Sequence, residues 1–204
     1  QGCRIEHAVG VGYADLDAYG FHTLEGLQCM VERRAGGEKG IASVQWLEGD
    51  AVWNWRDGEG RWSAPLLGAA LAVSRTAKPG TPEQNVKQPV VFLLEYRDGL
   101  RAACYMLTGH HQDFLFSAKL KGQSAPVATN YLMETERKLP HFDGLVHCIE
   151  EMFVTRRAVY PVERTLLTSQ ALSLLFESRE KEARIETPQL NVSYRAPKNT
   201  YFQR

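Results

Sequence analysis

Among the side chains of this sequence that could move a proton, His22 has the most suggestive setting. It follows Tyr-Gly-Phe at the point where a glycine-punctuated stretch gives way to helical spacing, and such loop-to-element junctions often display catalytic groups. An imidazole ordinarily titrates near neutrality, so it can take the proton of a hydroxyl at working pH. His22 and Glu25, at i and i+3, could also share a metal on one helical face. No further His, Cys or Asp is spaced to complete that site, so no metal is expected. His110 and His111 are adjacent on an expected strand, where neighbours point to opposite faces, so only one could serve a pocket; a surface or interface role is expected for the pair. His141 opens a later helix after Pro140, where an imidazole also suits a helix end. Glu32-Arg33-Arg34 reads as a solvated helix end whose cations suit the dipole.

Other chemistries lack a motif. Gly10-Val11-Gly12 follows a strand but has neither the third glycine nor the βαβ unit of a dinucleotide loop, and is expected to be a turn. There is no Gly-x-Ser-x-Gly, no thiol with an evident base and no Walker loop. Cys3, Cys29, Cys104 and Cys148 are scattered without a C-x-x-C, which reads as reduced thiols in a cytoplasmic protein.

The elements that must position these residues follow from periodicity. Residues 5–12 form a short strand. From Phe21 the spacing is helical, with Phe21, Leu24, Leu27 and Val31 on one face, a second stripe of His22, Gly26, Cys29 and Arg33, and a stop at Ala35-Gly36-Gly37. Residues 41–55 alternate as a strand, and Ser63 with Pro65 can open a second helix. Residues 90–96 and 100–107 flank Arg97-Asp98-Gly99 as a hairpin, and 113–120 and 128–134 extend it into an antiparallel meander. Helices are expected at 141–155 and 162–179, and a closing strand at 190–194.

Strands in runs, then helices in runs, argue for an α+β fold: an open, predominantly antiparallel sheet with helices packed on one face. The other face would then be solvated or covered by another chain. The 204 residues, 44% hydrophobic, fit one domain spanning 1–204. The 24 basic and 24 acidic side chains cancel, so no field recruits nucleic acid or an anionic membrane. No apolar run of about 18 residues marks a membrane span. The start, without Met, reads as processing or N-terminal truncation.

At Asp17-Ala18-Tyr19-Gly20-Phe21-His22-Thr23-Leu24-Glu25, followed by the strand from Ile41, the chain resembles the C-terminal domain of the Gfo/Idh/MocA oxidoreductases, whose motif runs Asp-x-Gly-x-His-x-x-Asp. The similarity continues through the meander, through the helix beginning His141-Phe142-Asp143-Gly144, and through residues 160–179. The resemblance implies a substrate domain resembling the C-terminal domain of dihydrodipicolinate reductase, joined in a complete enzyme to an N-terminal Rossmann domain that this chain lacks. It implies His22 and Asp17 as the catalytic pair, although the family's aspartate falls at Ala18. Glu25, Tyr19, Arg33 and His141 are the substrate-binding candidates.

The implied function is NAD(P)-dependent oxidation of a sugar, polyol or related hydroxy compound. NAD or NADP would be held mainly by the Rossmann domain, with no cofactor on this chain alone and no turnover by it. Homo-oligomers through the open sheet face are implied as well. Two alternatives stay open: a degenerate oligomerisation or ligand-binding module, which the displaced aspartate favours, and a redox-cycling glycosidase or lyase relative.

Overall fold

The computed structural model describes residues 2–133 and 141–197. β1 (Ile5–Gly12) leads to α1 (Ala18–Val31), β2 (Ile41–Glu48), α2 (Asp50–Asp57), a 3-10 turn at Arg61–Ser63, α3 (Ala64–Ala72) and α4 (Pro82–Asn85). Then come β3 (Val90–Tyr96), β4 (Arg101–Met106), β5 (Phe114–Leu120), β6 (Val127–Tyr131), α5 (His141–Thr155), α6 (Val162–Lys181), β7 (Ile185–Glu186) and a 3-10 turn at Pro188–Leu190. All seven strands join one sheet in the order β6-β5-β1-β4-β3-β2-β7. The fold is α+β, and every pairing is antiparallel except β1 with β4.

That exception corrects the expected meander. The β3–β4 hairpin and the β5–β6 pair form as read, but β1 lies between β4 and β5. The reason lies in its sequence: Ala8, Val9, Gly10, Val11 and Gly12 are all buried, an unbroken small and apolar run suited to a strand covered on both faces. Ala8 belongs to one core and Val9 and Val11 to the other.

The first core holds Leu24, Leu27 and Val31 of α1 and Leu167, Ala171 and Leu175 of α6 against Phe92, Leu94 and Cys104. This is the helical layer expected on one face. The second face is not left open. Val52 of α2 and Leu66, Leu67 and Ala70 of α3 pack on Val91, Ala103, Tyr105 and Leu115. The expectation of a strand through residue 55 missed this layer: β2 stops at Glu48, and the chain turns into α2 with Asp50 in its first turn and Val52 fully buried. Ser63 does not cap α3; its hydroxyl donates to the Gly60 carbonyl (2.7 Å) and lies 2.7 Å from the Tyr105 hydroxyl. The closing strand falls at Ile185–Glu186 rather than 190–194, where only Tyr194 bridges to Glu38.

α1 is fixed at its C-terminal end by a buried polar cluster. The Gln28 amide donates to Glu38 (2.6 Å) and to the Tyr194 hydroxyl (2.7 Å) and accepts from Tyr96 (2.8 Å). Arg34 pairs with Glu38 at 3.0 Å, so the buried charge is compensated. α5 differs from the other long helices. Leu145, Val146, Ile149, Met152 and Phe153 are exposed, Phe153 by 80%, and among the described residues the helix has no extended packing on another element.

Candidate functional site

The site begins where β1 hands over to α1. The Asp15 carboxylate accepts the N–H groups of Asp17 (2.9 Å) and Ala18 (2.7 Å), so Asp15 satisfies the orphan donors of the first turn. Asp17, at the capping position, makes no capping bond with its own side chain and stays exposed. Gly20 is buried, and a Cβ there would come within 3.2 Å of the Phe92 ring. The glycine of the Gly20-x-His22 pair therefore lets α1 lie close on the sheet, which sets the height of His22.

Asp17 and His22 line one open groove of about 620 Å³ between α1 and α6. Ser169 and Ser173 face it from α6, and Phe21, Leu172 and Phe176 supply its apolar lining. Grooves of several hundred Å³ with a few convergent polar groups suit a small organic ligand. Nothing in the sequence marked the two serines beyond an i, i+4 pair on the wet side of α6.

On its other side His22 meets rings. Tyr19 and Phe114 lie 6.0 Å from it, both nearly edge-on. Tyr13 lies 5.1 Å from Tyr19 and 5.3 Å from Phe114. Burial raises the Tyr13 phenol above its ordinary range, keeping it a protonated donor. Ala14, next in sequence, holds φ at +62°, a conformation costly for a residue with a Cβ, and the Thr108 hydroxyl donates to its carbonyl (3.2 Å).

Beneath Tyr13 lies His111, 2% exposed, with ring centroids 6.1 Å apart. His110 and His111 are thus both buried in the β4–β5 connection, not displayed on a strand end as expected. Burial pushes the His111 pKa down to about 4, against the pull of Asp113. Its Nδ1 accepts the Asp113 N–H (3.2 Å), and its Nε2 is buried without a hydrogen-bond partner among the described residues. Burial would push the Asp113 carboxyl up, but the hydroxyls of Ser74 and Thr76, the Asn130 amide and the Arg75 N–H outweigh it and hold it at about 2.

The remaining candidates separate. Tyr19 joins the rings beside His22. Glu25 turns into the α1–α6 seam, where burial raises its pKa against the Thr168 hydroxyl that donates to it. Beside it Arg164 grips Glu32 at 2.9 and 2.5 Å. Arg33 is about 16 Å along the helix axis from His22, and donates to the Pro197 carbonyl (3.0 Å); the structure does not bring it to the groove. His141 opens α5, and its side chain lies outside the described residues. Among the described residues no group of three His, Cys, Asp or Glu could hold a metal, and no helix is long and apolar enough to cross a membrane.

Gly10 and Gly12 do not form a dinucleotide loop. Gly10 and Gly12 are strand residues, not a turn, and a Cβ on Gly12 would strike the Thr23 hydroxyl. They serve helix-on-sheet packing, and the β1–α1 connection gives no glycine-rich turn at the N-terminus of α1 to cradle a pyrophosphate.

No protein-family model and no curated protein sequence matches the chain. Solved structures do. One is GenD2 from gentamicin A biosynthesis, in complex with NAD: TM-score 0.52, 12% identity, 90% of this chain and 55% of that one. Another is scyllo-inositol dehydrogenase from Lactobacillus casei, with bound NAD(H) and scyllo-inositol: TM-score 0.51, 12% identity, 90% and 56%. A third is a super-repressor mutant of Gal80p from Saccharomyces cerevisiae: TM-score 0.53, 7% identity, 94% and 60%. The chain therefore has the α+β fold of the C-terminal domain of Gfo/Idh/MocA-type oxidoreductases, and it spans a little over half the length of the structures it matches.

Proposed function

We propose that this chain is the substrate-side domain of an NAD(P)-dependent oxidoreductase acting on a sugar, polyol or related hydroxy compound, with His22 as its base. One observation carries the reading: an exposed imidazole shares a groove with a carboxylate on one side and meets an aromatic wall on the other. Oxidation of a secondary alcohol requires the hydroxyl proton to leave, and His22 is placed to accept it. Asp17 lines the same groove. Ser169 and Ser173 can donate to and accept from further hydroxyls, as a polyol demands. NAD or NADP supplies the hydride chemistry when bound, and a Rossmann domain joined to this chain would hold it.

The test is His22→Ala in the enzyme that includes its nucleotide-binding domain. Turnover should fall on the order of 10²–10⁴-fold, with cofactor affinity nearly unchanged; undiminished turnover would remove His22 from the mechanism. A second reading, a ligand-binding module without catalysis, is favoured by Ala18 at the family's aspartate position. It predicts that Asp17→Asn changes nothing.

A further inference from the structure

We propose that α5 is a lid, which folds back antiparallel along the wet side of α6 and roofs the α1–α6 groove above His22. The proposal rests on the shape of the groove and not on the reaction assigned to His22.

An amphipathic helix ordinarily buries its apolar side, and α5 does the reverse. Leu145, Ile149 and Met152, with Val146 and Phe153 beside them, face water, while Gly144 is buried and Cys148 and Glu151 are half-buried on a different side. α6 carries a matching open stripe. Ser169, Ser173 and Phe176 line the groove, and Val162 and Leu166, both exposed, continue the same face towards the start of the helix. The two stripes share one spacing, residues 145, 149 and 152 on α5 and 162, 166, 169 and 173 on α6. Alternate steps of three and four are how two helices interdigitate along a seam.

The connection sets the register. Residues 156–161 alone separate the helices, a length common between antiparallel helical neighbours. Folding back over so short a loop places Met152 between Val162 and Leu166, Ile149 between Leu166 and Ser169, and Leu145 between Ser169 and Ser173, all three in a single register. Apolar surface then meets apolar surface beside the loop. Farther along, the small serines leave space beneath Leu145 and Ile149, so the groove is roofed and not filled. The 15 residues of α5 make a helix about 22 Å long, enough to pass Ser173, which lies about 16 Å from Val162 along α6.

A hinge stands at the right place. Arg156, directly after α5, holds φ at +56°, a left-handed conformation that costs a residue with a Cβ. Rotation at this one residue would swing the whole helix, as residues at element ends do in hinged closures. Closure would exclude water from His22 and Asp17 together.

The experiment traps the closed form in the 204-residue chain carrying Cys3→Ser, Cys29→Ser and Cys148→Ser, with the buried Cys104 left in place. Leu145→Cys with Ser173→Cys tests the register; His147→Cys with Ser173→Cys, its first thiol on the exposed charged side of α5, is the control. Circular dichroism confirms that both fold. With oxidised glutathione, the register pair should close a disulfide within one chain about tenfold faster than the control, because proximity sets the effective thiol concentration. Equal rates overturn the docking, and disulfides that join two chains instead would make a second copy the occupant and overturn the lid. In the cross-linked chain, diethyl pyrocarbonate should modify His22 roughly tenfold more slowly than after reduction, as a covered group reacts only through opening. Undiminished modification would show that α5 docks without roofing the groove, and the lid falls. None of these outcomes touches the turnover test of His22→Ala, so the two readings fail separately.

Discussion

His111 shows how a single buried imidazole can report on the whole fold. Its pKa is about 4 in the folded chain, and an unfolded histidine takes its proton near 6.5. The folded state thus resists protonation, so the stabilising contribution is full above pH 6.5 and is lost as pH falls towards 4. Between pH 7 and pH 5 the loss is about 2 kcal/mol, and His7 and His110, also lowered by burial, act in the same direction. Urea midpoints at the two pH values should reveal it, and His111→Phe should flatten the slope. An unchanged slope in that variant would show that His111 is not the group responsible. Asp113, held at about 2, keeps its full contribution above about pH 5 and loses it mainly below pH 4, so it hardly enters this window. At this scale the sequence made His22 and Asp17 visible, because their spacing to Gly20 lies within one segment. Tyr13 was not visible as a neighbour of His111 and Phe114, since it is distant from both in the chain and only the position of β1 between β4 and β5 brings it to them.

At the scale of elements, the packing of α1 on β1 decides whether His22 is presented correctly. A methyl group on Gly12 would lie 2.0 Å from the Thr23 hydroxyl oxygen, so the helix or the strand must shift. Gly12→Ala should therefore cost about 1–3 kcal/mol, read from chemical unfolding. Adding Thr23→Ala should recover part of the loss, and strict additivity in that double-mutant cycle would exclude close approach as the cause. The periodicities of α1, α6 and the β3–β4 hairpin were readable because each pairs a strong pattern with a clear stop. α2 escaped because its residues continue the strand-like alternation of β2, and burial of Val52 under the second face settles the matter only in three dimensions.

For the whole molecule, the open, mostly antiparallel α+β sheet followed from the order of strands and helices, whereas the strand order did not. β1 pairs with residues that follow it by 94 to 115 positions, and no local pattern encodes such a separation. α5 provides the consequence with the widest reach. Fifteen residues are marginal as an independent helix in water, and its apolar side contributes little where it stays wet. Its amide protons should therefore trade with deuterium orders of magnitude faster than those of β1 or β4, and dilute thermolysin should cut there first. Protection equal to that of the central strands would mean that α5 shares the cooperative unit. Otherwise the chain has two melting regimes, and a single unfolding temperature would describe the sheet while saying nothing of this helix.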